Sequence, residues 1–110
     1  MREPHHPSRS ELELPDVLHA LSDPARLAIV RHLALRDECT CGGFDSKLSK
    51  ATLSHHYRVL REAGVVHSRP DGRKRQLSLR RDDLEARFPG LLGAVLMEPV
   101  PAAGKLAERL

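Results

Sequence analysis

The sequence predicts a mainly α-helical domain with one small β-hairpin, and three observations predict it. Apolar residues recur at three-and-four spacing around residues 14–21, 24–34 and 49–63, the signature of helices with one buried face. The period then becomes strand-like in "VVHSRPDGRKRQLSL", where Pro70, Asp71 and Gly72 carry turn chemistry between two extended runs. Finally, 110 residues are enough for one domain of about 100 to 150 and not for a second.

Taken in order, residues 1–11 hold Pro4, Pro7, two Ser and two His, a composition that suits a flexible N-terminal arm. From Leu12, the residues Leu14, Val17, Leu18 and Leu21 fit one face of a short first helix, with Pro15 tolerated in its first turn. In "SDPARLAIVRHLAL", Asp23 reads as the N-cap and Pro24 as the first helical residue, followed by Leu27, Val30, Leu33 and Ala34. "RDECTCGGFDSK" reads as a loop or at most one helical turn, because Gly42 and Gly43 weaken any longer helix. Ser49 caps the next helix, which buries Leu53, Tyr57 and Leu60 and stops at Gly64. Strands follow at Val65–Ser68 and Arg75–Leu79, forming a hairpin with a basic tip. A last helical region from Arg81 carries Leu84, Phe88, Leu91, Leu92, Val95 and Leu96 and is kinked or divided at Pro89. Core packing accounts for about half of those apolar residues, and the excess implies a second subunit. The working domain is therefore 12–98, with 99–110 as a loose tail.

Helix, helix, short turn, helix, basic hairpin, helix is the layout of a winged helix-turn-helix, dimeric through its terminal helices. Other classes are poorly supported. Lys and Arg number 18 against 15 Asp and Glu, a mild excess, and one Tyr, two Phe and no Trp leave little on which single-stranded bases could stack. There is no Gly-rich phosphate loop or nucleophile turn, so an enzyme is not expected. The N-terminal stretch has no apolar leader core, and nothing approaches a membrane span of about 18 apolar residues, so the expected location is the cytoplasm with no membrane partner.

At this point, "LSDPARLAIVRHLA", "ECTC", "LSKATLSHHYRVLREAGVV" and "RPDGRK", in that order and spacing, resemble the ArsR/SmtB family of bacterial transcriptional regulators over about Leu18 to Leu79. The resemblance implies a homodimer that binds double-stranded operator DNA and changes its affinity when a metal or other effector binds. The residues supply the roles. With Leu53, Tyr57 and Leu60 inward, the opposite face of the helix presents Lys50, Ala51, Ser54, His55 and Arg58. Ser49, Thr52 and Ser54 hydroxyls and His55 can reach bases or phosphates in a major groove, while Lys50 and Arg58 hold the backbone. Arg69, Arg73, Lys74 and Arg75 place charge on the hairpin, where a flanking DNA contact and a solvated turn are equal readings. Adjacent helical residues diverge by about 100°, so His55 and His56 cannot hold one ion together, and DNA contact for one with partial burial of the other is preferred.

The resemblance also implies an effector site. Cys39-Thr40-Cys41 sits where thiolate-sensing members carry a Cys-x-Cys pair; a purely thiolate site would favour Cd, Cu(I) or As(III). The family's third cysteine is missing here. His5 and His6 on the arm could complete a mixed set with Cys39 and Cys41, admitting Ni, Zn or Co. The alternative is the same fold controlled without a metal, by redox state or a partner protein. The family's other site uses Asp and His on the C-terminal helix; Asp82, Asp83 and Glu85 are present here but no His follows His67, so that site is incomplete or borrows a His from the first helix, such as His19.

Overall fold

The structure is a computed structural model that describes residues 5–40 and 47–97. Its elements are a 3-10 turn (Arg9–Glu11), α1 (Leu14–Leu21), α2 (Pro24–Ala34), β1 (Cys39–Thr40), α3 (Lys50–Glu62), β2 (Val66–Asp71), β3 (Lys74–Leu79), α4 (Arg81–Arg87) and α5 (Leu91–Met97). Cys41, residues 1–4 of the arm and the 99–110 tail lie outside the described residues.

Local chemistry sets most boundaries. Asp23 Oδ1 accepts the N–H groups of Ala25 at 2.8 Å and Arg26 at 3.2 Å, a cap of a kind that contributes about 1 kcal/mol. Burial raises the Asp23 carboxyl's pKa, but those two backbone donors, with the nearby Arg26 charge, outweigh it and leave the group below the ordinary carboxylate range. Ser49 Oγ accepts the Thr52 N–H at 3.1 Å and starts α3. At the far end Gly64 adopts φ 86°, and a β-carbon there would overlap the Leu12 side chain, so glycine serves both the turn and the close approach. The division between α4 and α5 falls at Pro89, as its missing N–H requires.

The core is formed by Leu12, Val17, Ile29, Val30, Leu33, Leu60, Val65, Val66 and Leu84, with Leu77, Leu79 and Leu92 beside them. It lies where α1, α2 and α3 meet the sheet. Three expectations from sequence are corrected. Leu14 and Leu18 do not face this core: they are 41% and 48% exposed, while α1 buries Val17, Ala20 and Leu21. The two rows are neighbours on the helix, and periodicity alone cannot choose between them. The segment read as a loop supplies a strand, β1, which pairs antiparallel with β3 through Cys39 opposite Leu77 and Thr40 opposite Gln76. The sheet order is β1-β3-β2. Pro70 and Asp71 lie inside β2 rather than in the turn, leaving Gly72 and Arg73 as the connection. Pro70 is tolerated because β2 is an edge strand.

Candidate DNA-reading surface and effector residues

Helix α3 has two unlike faces. On its inner side Leu60 is fully buried, Leu53, Tyr57 and Val59 pack against the core, and His56 is buried at 8% exposure. Facing outward, Lys50, Ala51, Thr52, Ser54, His55 and Arg58 are all exposed. Ser49 and Thr52 act first on the helix itself: besides the cap, Ser49 Oγ donates to Thr52 Oγ1 at 2.9 Å. The two histidines therefore part company, His55 to the surface and His56 to the interior, with ring centroids 5.7 Å apart.

The inner face is held by a residue that sequence reading did not single out. Arg26 on α2 is buried at 7% exposure. Its Nε donates to Ala20 O at 2.8 Å and its Nη2 to His19 O at 3.3 Å, at the C-terminal end of α1, and its Nη1 meets His56 Nδ1 at 3.2 Å. The unfilled carbonyls of a helix end attract such a cation. The only sequence signal is an arginine two residues into a capped helix, which also suits a solvated position.

The hairpin's four cations are not equivalent. Arg69 is clasped by Glu38, Nε to Oε2 at 2.6 Å and Nη2 to Oε1 at 2.7 Å. The Arg69 hydrogen bonds and charge keep the Glu38 carboxyl below the ordinary carboxylate range. Arg75 turns back on the hairpin, donating from Nε to Ser68 Oγ at 2.9 Å and from Nη2 to Ser68 O at 2.8 Å. Arg73 and Lys74 stand exposed at the tip.

The N-terminal segment lies along the same side. The His6 ring stacks on His67 with centroids 4.3 Å apart, and its Nε2 accepts the Ser68 N–H at 3.0 Å. The exposed His5 gives its carbonyl to Arg61 Nε at 3.3 Å, and Pro7 gives its carbonyl to Arg80 Nη1 at 2.7 Å. Cys39 is half-buried on β1, with its Sγ 3.3 Å from His32 Nε2. Burial, with Arg36 nearby, lowers the His32 pKa and keeps the ring neutral. Among the described residues no group of three or more His, Cys, Asp or Glu could hold a metal ion. His6 and Cys39 have hydrogen-bond partners inside the chain, and Cys41 lies outside the described residues. No helix among the described residues is long and apolar enough to cross a membrane.

Residues 21–69 match the family model described as "Helix-turn-helix domain". The chain is 42% identical over 79 residues to an uncharacterized HTH-type transcriptional regulator, YceK of Bacillus subtilis, covering 69% of this chain and 79% of that one. It is 35% identical over 74 residues to the arsenical resistance operon repressor of Staphylococcus xylosus, covering 66% and 71%. This chain belongs to the ArsR/SmtB family. The crystal structure of an ArsR family transcriptional regulator shares the fold, with a TM-score of 0.59 at 22% identity over 81% of this chain and 93% of that one. As an ArsR/SmtB-family protein it is a helix-turn-helix DNA-binding transcriptional regulator. The matched segment spans α2 and α3 and runs into the hairpin, so it includes the Arg26–His56 contact and the exposed face of α3.

Proposed function

We propose that this regulator binds double-stranded operator DNA as a homodimer, with α3 in the major groove and the β2–β3 hairpin on the flank. The observation that carries the reading is the split character of α3: its inner residues are anchored, while Lys50, Ser54, His55 and Arg58 are exposed on one side. Short hydroxyls and an imidazole suit base edges, and the flanking cations suit phosphates. Dimerisation through the terminal helices is supported by the exposed Leu14 and Leu18 on α1 and by Met97, 84% exposed at the end of α5.

The family suggests a metal as effector, and the position of Cys39 supports coupling to the wing, because β1 is hydrogen-bonded directly to β3. A second reading, control by redox state or a partner protein, is favoured by His6 and Cys39 being engaged within the chain. Selection from a random duplex library, at fixed salt, should recover one preferred sequence with two half-sites about one helical turn apart, and sedimentation should show two chains per duplex. Nickel, zinc or cobalt should then shift affinity for that duplex, and Cys39→Ser and Cys41→Ser should remove the shift. If the metals change nothing, the metal-independent reading stands; if no duplex is enriched, the DNA assignment fails.

A further inference from the structure

We propose that His56 is a positioning residue for DNA recognition: through Arg26 it sets the rotation at which α3 is presented, and it does so only while its imidazole is neutral. The inference rests on the DNA-binding reading above. The guanidinium group has only donors and does not lose its proton in proteins. Its 3.2 Å contact with His56 Nδ1 therefore requires a lone pair on Nδ1, which puts the ring proton on Nε2. An imidazolium carries a proton on both nitrogens and has no lone pair left to accept with.

The contact matters for reading because of where it sits. Arg26 is already fixed by two carbonyls at the end of α1, so its third bond ties α3 to both other helices of the motif. Burial of Leu53 and Leu60 holds α3 against the core but is non-directional, whereas a hydrogen bond has a preferred direction. His55 is the next residue, about 100° around the helix, and Ser54 and Arg58 flank it. A turn of α3 about its axis that breaks the His56 contact therefore moves all three outward-facing side chains together.

Among the described residues, the charged and titratable groups placed against His56 are Arg26 and Asp23 from α2 and His55 on α3 itself. The Asp23 Oδ1 already takes two backbone N–H groups. Arg26 is in direct contact with the ring and buried beside it.

The test is affinity for the library-selected duplex at fixed salt across about pH 8 to 5.5, the range in which histidines change charge, with thermal unfolding followed in parallel. The native chain should lose affinity toward acid, by at most about tenfold per pH unit for each linked proton, of which a homodimer on its duplex has two. His56→Gln can accept from Arg26 through its carbonyl without titrating, so it should retain most of the pH 8 affinity and lose the acid decline. His56→Leu should bind more weakly even at pH 8. His55→Gln is the control, since protonation of an outward-facing His55 strengthens attraction to phosphate and has the opposite sign. Nitrogen NMR of labelled histidine should show Nδ1 of His56 as the unprotonated atom in the free protein at pH 8. An acid decline in His56→Gln equal to the native one overturns the proposal, and so does a proton on Nδ1. Failure of the native chain to bind the duplex at pH 8 is a separate result: it overturns the DNA reading and the presentation role with it, whichever tautomer is found.

Discussion

The outer face of α3 and the tip of the hairpin are both basic, yet they hold their cations differently. On α3, Lys50 and Arg58 are exposed, and among the described residues neither takes part in an ion pair. On the hairpin, Arg69 is held by both oxygens of Glu38 and Arg75 by Ser68, so Arg73 and Lys74 are the exposed cations at its tip. Positive charge in a sequence is therefore not equivalent to charge available for phosphate. Helix α3 spends its internal contacts on its opposite face and keeps its outer one bare. The wing also buries one face, at Val66, Ser68, Leu77 and Leu79, but two of its arginines serve to brace it.

That comparison can be broken most decisively at the helix. Ser54→Ala with His55→Ala should reduce discrimination between the selected duplex and a scrambled one by roughly ten- to a hundredfold, on the scale of about 1–3 kcal/mol for a good base contact. Competition binding at constant salt measures it, and unchanged discrimination would remove α3 from the base-reading role. A smaller effect belongs to the tip. Arg73→Ala should weaken all duplexes alike and lower the slope of log affinity against log salt by about 0.9, the value of one phosphate contact, while the preference among sequences stays the same.

The smallest effect sharpens the account of Arg69. Its guanidinium keeps the Glu38 carboxyl below the ordinary carboxylate range, so the pair is intact above the unfolded-state value and is lost as pH falls through the lowered one. At neutral pH, then, Arg69 remains committed to Glu38. Glu38→Gln should release it and steepen the salt slope slightly, by no more than about 0.9, with little change in thermal midpoint because the pair is solvent-exposed. An unchanged slope in that variant would mean that Arg69 contacts no phosphate even when free.

Much of this molecule was legible from residue order. Asp23 before Pro24, Ser49 before a three-and-four apolar repeat, and Gly64 after it mark α2 and α3 because caps and stops act within one turn of chain. The outward set on α3 followed from helical geometry once Leu53, Tyr57 and Leu60 were turned inward. What failed was the part that depends on distant partners. Cys39 and Thr40 form a strand because Leu77 and Gln76 lie beside them, and two residues carry too little pattern of their own to announce it. Leu14 and Val17 are equally apolar, and only the placement of α1 on the domain decided which row is covered.

The sequence by itself determined the helices, the hairpin and the family, because each is written in short-range spacing and in contiguous motifs. Only the tertiary structure decided the use of individual polar groups. Arg26 and His56 are 30 residues apart, and Glu38 and Arg69 are 31 apart. No local rule pairs them, and each contact exists because packing of the apolar faces first brings those stretches of chain together.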